Sequence, residues 1–130
     1  QENISINTDI SSVVIHANKK DIYGLVSNLL VNAVKYNRKG GAVDISLFTS
    51  DGQAVLRVRN DGEPIPPEHQ RRVFERFYRV DSGRSKAVGG TGLGLAIVKH
   101  VVDALSGTIT LESSAEKGTA FTVRLPVSDN

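Results

Sequence analysis

The chain has 130 residues, of which 39% are apolar and 23% charged, enough to close one core of ordinary domain size, so disorder is not expected. Sixteen basic residues against fourteen acidic ones leave +2, with no long Lys/Arg run, so neither nucleic acid nor a charged membrane surface is implied as a partner. There is no cysteine for a disulfide or thiolate metal site, no apolar run near the roughly 20 residues that cross a bilayer, and no methionine. These features predict a soluble piece cut from a longer protein and suit a cytoplasmic location; the isolated piece is expected to be a monomer.

In chain order, Asn3 to Asn7 and Ser12 to Ala17 read as short strands forming a hairpin or a sheet edge. From about Lys19 to Tyr36, Ile22, Leu25, Val26, Leu29, Leu30, Ala33 and Val34 recur at helical spacing, and Arg38-Lys39-Gly40-Gly41 supplies the stop. Ala42 to Thr49 and Gln53 to Arg59 alternate around Ser50-Asp51-Gly52, which predicts a β-hairpin ending at Asn60-Asp61-Gly62. Pro66 and Pro67 suit the first turn of a helix running to about Tyr78. Residues 81–90 have no periodicity and read as a mobile lid. A third helix is predicted from about Leu93 to Leu105, followed by strands at Thr108 to Glu112 and Thr119 to Leu125. Paired strands with helices between them predict an α+β fold, a two-layer α/β sandwich whose mixed, mostly antiparallel sheet is covered on one face by three helices. A parallel dinucleotide-binding arrangement fits poorly, because the glycine loop lies near residue 90 instead of after the first strand.

Two features carry chemistry. The glycine-rich run Gly89 to Gly94 enters an apolar helix, and such a loop can bring backbone N–H groups and a positive helix end against phosphate. At about 100° per residue, Asn28, Asn32 and Lys35 share one narrow stripe of the first helix. Asparagine is a poor helix former, so two on one stripe carry a propensity cost that a function should offset; amide oxygens suit a hard cation such as Mg²⁺, and a lysine suits phosphate.

Together these motifs resemble the ATP-binding catalytic domain of sensor histidine kinases, within the group that includes gyrase, mismatch-repair and heat-shock chaperone ATPases. Residues Asn28 to Tyr36 look like the N box, Asn60 to Ile65 the first glycine box, Phe74 to Arg79 the F box, Gly90 to Leu95 the second glycine box, and Gly118 to Phe121 the entry to the final strand. The resemblance implies a Bergerat-type fold binding ATP and Mg²⁺. Asn32 would be the metal ligand, with Asn28 and Lys35 assisting at the phosphates and Tyr36 lining the pocket. Nucleotide contacts would also come from Asn60, Asp61, Gly62, Ile65, Gly90, Thr91, Gly92, Leu93, Gly94, Leu95 and Thr119. Arg79, with Lys35, would stabilise charge on the transferring phosphoryl group.

Two residues depart from the family pattern: Asn60 stands where an Asp usually accepts from the adenine amino group, and Pro64 where a second glycine is usual. Asp61 is the fallback acceptor. Asn28 stands where ATPases of the wider group carry a water-activating Glu, which favours a kinase over an ATPase. His16, His69 and His100 lack the acidic helical context of a phosphoacceptor, so the implied partners are a separate dimerisation domain of the same protein, which carries that histidine, and a downstream response regulator. The parent protein, by the same resemblance, is a candidate for anchoring in the inner or plasma membrane. A module that binds ATP without transferring phosphate is the rival reading.

Overall fold

The computed structural model describes residues 5–10, 15, 17–38, 40–70, 72–75 and 94–127. In chain order the elements are β1 (Ser5–Ile10), α1 (Lys19–Lys35), β2 (Ala42–Ser50), β3 (Gln53–Asn60), α2 (Pro67–Gln70), α3 (Gly94–Ala104), β4 (Thr108–Ser114) and β5 (Gly118–Pro126). The five strands form one sheet in the order β1-β2-β3-β5-β4. Among the described residues only the β1–β2 pair is parallel; the other three pairs are antiparallel. Thus β1 is a sheet edge as expected, but its partner is β2, and the connection between them is a crossover through α1. Ile15 and Ala17, expected at the end of a second strand, are not in one, and residues 11–14 and 16 lie outside the described set.

Local chemistry sets the element ends. The side-chain oxygen of Asn18 accepts from the Lys20 backbone N–H, capping α1, and Asp21 lies in the first turn, where it meets the positive helix end. Asp51 and Gly52 both take positive φ, 54° and 76°, which matches the strand twist in a two-residue hairpin turn. After α3, Ser106 adopts the left-handed conformation, and the Gly107 N–H reaches back to the Val102 carbonyl. α2 is described as a single turn, and residues 71 and 76–78 of the helix expected to run to about Tyr78 lie outside the described residues. Beyond it Arg72 N–H and Glu75 N–H bond three residues back, while Val73 is buried and the Phe74 ring meets Phe121 edge-on at 5.9 Å. Val73 N–H bonds four residues back, to the His69 carbonyl, so one helix-type bond continues past α2.

The register shows which sheet face is covered. Cross-strand partners share a face, so Ile45, Val58, Phe121 and Leu111 form one row, and Leu47, Leu56, Val123 and Ile109 the next. These rows pack against Leu25, Leu29 and Ala33 of α1 and Val98, Val101 and Val102 of α3, forming a single core between helices and sheet. The expected two-layer sandwich is therefore present, with α1 and α3 side by side as the helical layer.

Candidate nucleotide-binding site

The row beyond Ile45–Val58–Phe121–Leu111 on the same face reads Val43, Asn60, Thr119, Ser113. Here the covered face turns polar while remaining closed, since Asn60 and Thr119 are each only 4% exposed. Buried polar groups cost stability unless they are paired or have a function. Thr119 is paired, its hydroxyl lying 2.7 Å from Ser113 Oγ, which also accepts from the Ile65 N–H at 2.7 Å. Asn60 differs: its amide has no hydrogen bond to another side chain or to backbone among the described residues, and it is not a sealed orphan. Its amide is therefore uncommitted among the described residues.

Residues 60–65 are held in place from several sides. The Asn37–Gly62 bridge ties this loop to the chain leaving α1, and Gln70 Nε2 donates to the Ile65 carbonyl at 2.8 Å. A Cβ at Gly62 would fall on the Tyr36 carbonyl oxygen and lie 2.8 Å from Asn60 Nδ2, so this close approach needs a glycine. Ile65 is half-buried and packs against the core, as does Leu95.

Strand alternation separates Asn60 from its neighbour Asp61. Asn60 faces the helices, whereas Asp61 lies with Arg59 on the other side of the sheet. There Arg59 pairs with Asp44 at 2.9 Å and with Asp61 at 2.6 Å, and donates to the Lys117 carbonyl at 2.7 Å. The second Asp61 oxygen accepts from the Ala42 N–H at 2.8 Å. Both Asp61 oxygens are therefore engaged in bracing the start of β2 against the end of β3.

That backbone bond, reinforced by the Arg59 guanidinium against the opposing cost of burial, holds the Asp61 carboxyl below its ordinary pKa. A lowered folded-state value means that the stabilisation is complete above about pH 4, the ordinary aspartate value, and disappears as pH falls through the lowered one. Asp61→Asn should therefore cost about 1–2 kcal/mol at neutral pH, and denaturant titrations should show the gap from wild type closing under acid. A gap that persists unchanged at pH 2 would contradict this role.

On the helical side, Asn28 and Asn32 are half-buried on α1. Asn28 Nδ2 donates to the Gly24 carbonyl at 2.7 Å, and its oxygen faces Gly94 at the start of α3, 3.1 Å from where a Cβ there would sit. The missing side chain at Gly94 lets α3 approach the amide stripe closely here. The Asn32 amide has no hydrogen bond to a described residue. Lys35 lies in the last turn of α1, where a cation also favours the helix dipole, and Tyr36 is 43% exposed just beyond it.

The described residues thus place Asn28, Asn32, Lys35, Tyr36, Asn60, Gly62, Ile65, Gly94, Leu95 and Thr119 on the helix layer or on the sheet face and loop beneath it. Asp61 lies across the sheet. Arg79, Gly90, Thr91, Gly92 and Leu93, and the lid expected over 81–90, lie outside the described residues. Sequence reasoning missed Ser113 and the Arg59–Asp44 pair. Ser113 had a signal, because Ile109, Leu111 and Ser113 share one strand face and the serine breaks an apolar series.

Comparison with known proteins agrees with this geometry. Residues 17–129 match the family described as histidine kinase-, DNA gyrase B-, and HSP90-like ATPase. Sensor histidine kinase RppB of Synechocystis sp. is 44% identical over 126 residues, covering 95% of this chain and 28% of that protein. Heme sensor protein HssS of Staphylococcus aureus is 40% identical over 126 residues, covering 97% and 27%. Among solved structures, a mycobacterial sensor histidine kinase, MprB, superposes with a TM-score of 0.84 at 32% identity over 96% of this chain and 83% of its own. Full-length ShkA in complex with AMPPNP gives 0.80 at 28% identity, over 96% and 26%.

The chain belongs to the histidine kinase-, DNA gyrase B- and HSP90-like ATPase family. One of the curated relatives, RppB, is a sensor histidine kinase, and the chain spans little more than a quarter of the length of the two it matches, 28% and 27%. Among the described residues no helix is long and apolar enough to cross a membrane.

Proposed function

We propose that this chain is the single catalytic domain of a sensor histidine kinase, which binds Mg-ATP and supplies its γ-phosphoryl group to a histidine on a separate dimerisation domain of the same protein. The phosphoryl group would then pass to a response regulator. The observation that carries this reading is the meeting of the α1 amide stripe with the start of α3 at Asn28 and Gly94, above a polar sheet end containing the unpaired Asn60. The nucleotide-bound state of ShkA, a structural neighbour, supports it.

The donor chemistry at this place fits a hard cation. The Asn32 amide is uncommitted and the Asn28 oxygen points away from its own helix bond, and amide oxygens are acceptable Mg²⁺ ligands beside phosphate. When bound, Mg²⁺ would neutralise phosphate charge. Asn32 would hold it with Asn28 beside it, Lys35 would meet a phosphate as a point charge, and Tyr36 would cover the nucleoside. Asn60, rather than Asp61, would accept from the base, because the Asp61 oxygens are already bound to Arg59 and Ala42. Arg79 is proposed, from its place in the F box, to offset charge on the transferring group.

Asn28 does not activate water. Asn28 is an amide whose N–H already serves the Gly24 carbonyl, and an amide does not take a proton at neutral pH. Transfer to an imidazole delivered by another domain needs no such base here. Mixing the chain with a separately produced acceptor domain and γ-labelled Mg-ATP should label the acceptor histidine. Saturable nucleotide binding with no label transferred would instead establish the non-transferring module.

A further inference from the structure

Asn60 is 4% exposed between Val43 and Thr119, yet no described group bonds its amide. The neighbours that could lock it are occupied: Thr119 is paired with Ser113, and Asp61 faces Arg59 on the other side of the sheet. Gly62 leaves the space beside Nδ2 clear of a side chain.

A carboxylate here would present acceptors only, whereas an amide presents one acceptor and one donor edge. A 6-aminopurine offers a donor at its amino group and an acceptor at N1. A 6-oxopurine reverses both, with an acceptor at O6 and a donor at N1. Turning the Asn60 amide half a revolution exchanges its oxygen and nitrogen, and with no protein partner to break, either orientation is open to it.

We infer that this site takes purine nucleoside triphosphates with little discrimination between a 6-amino and a 6-oxo group. The inference rests on the proposed reading that Asn60 meets the base. Its substrate class is therefore broader than adenine nucleotides, and Asn60 is the residue that broadens it.

The test is displacement of a trinitrophenyl-ATP probe from the full 130-residue chain by Mg-ATP and by Mg-inosine triphosphate, which differs from ATP at the purine 6-position and N1 and carries no 2-amino group. A well-made base pairing is worth roughly ten- to a hundredfold in discrimination, so an ATP preference below about thirtyfold supports the inference and a larger one overturns it. Asn60→Asp should push the preference to about a hundredfold or more, because carboxylate oxygens would then face O6; a preference unchanged by this substitution also overturns it. Should Asn60→Asp fail to fold, the wild-type ratio decides alone. Displacement by neither nucleotide would defeat the functional reading itself, a different result from tight ATP binding with inosine triphosphate rejected.

Discussion

Asn32→Ala should give a protein that melts at a higher temperature and no longer binds Mg-nucleotide. The two effects have separate causes. Asn32 sits inside α1, where alanine is favoured over asparagine by roughly 0.6 kcal/mol, and its amide makes no hydrogen bond to a described residue that would be lost. Removing it should raise the melting temperature by about 2–3 °C. The same amide is the proposed metal ligand, and its loss should weaken Mg-nucleotide binding by about a hundredfold or more, near 2.7 kcal/mol. Thermal denaturation without ligand and calorimetric titration with Mg-ATP measure the two effects independently. A variant with wild-type affinity would remove Asn32 from the site, whereas a destabilised variant would make the residue structural.

The second large effect is expected at Gly62. An added methyl group would collide with the Tyr36 carbonyl oxygen, a backbone atom that cannot swing aside, and would press on Asn60. Relief requires moving either the end of α1 or the loop that the Asn37 bridge, Ser113 and Gln70 hold. Gly62→Ala should therefore cost about 3 kcal/mol in denaturant unfolding and displace Asn60, lowering nucleotide affinity in the protein that remains folded. Gly24→Ala is the contrasting substitution. Nothing lies within 4 Å of its would-be Cβ, and it sits inside α1, so it should stabilise the protein by about 0.5–1 kcal/mol. Equal effects at the two glycines would contradict the crowding described at Gly62.

What could be read from the sequence follows from where its signals are local. α1 and the β2–β3 hairpin appear within a residue or so of their expected ends, because an amphipathic repeat and an Asp-Gly turn are short-range features. The pairing of β1 with β2 is a long-range choice. Val13-Val14-Ile15 supplied a competing strand signal next door, but nothing in Ser5–Ile10 itself names a partner 37 residues away, the separation of Asn7 and Asp44. The edge-on meeting of Phe74 with Phe121 was also illegible, since it is a contact made only after folding.

The site divides the same way. The amide stripe and the glycines could be read from spacing, whereas the choice between Asn60 and Asp61 could not. Adjacent residues on a strand point to opposite faces, but which face the helices cover is decided by the assembled sheet. Only the register, with Asn60 opposite Thr119 and Arg59 opposite Asp44, shows that the amide faces the helices while the carboxylate serves as a brace.

The central claim is that α1, the loop after β3 and the start of α3 enclose one magnesium-bound nucleotide. Amide NMR shifts recorded while Mg-AMPPNP is titrated into the chain test it most directly. The shifts should saturate at one equivalent and concentrate at Asn28, Asn32, Tyr36, Asn60, Gly62, Gly94 and Thr119. Spectra that remain unchanged, or that move only along β1 and the sheet face bearing Arg57 and Thr122, would contradict it.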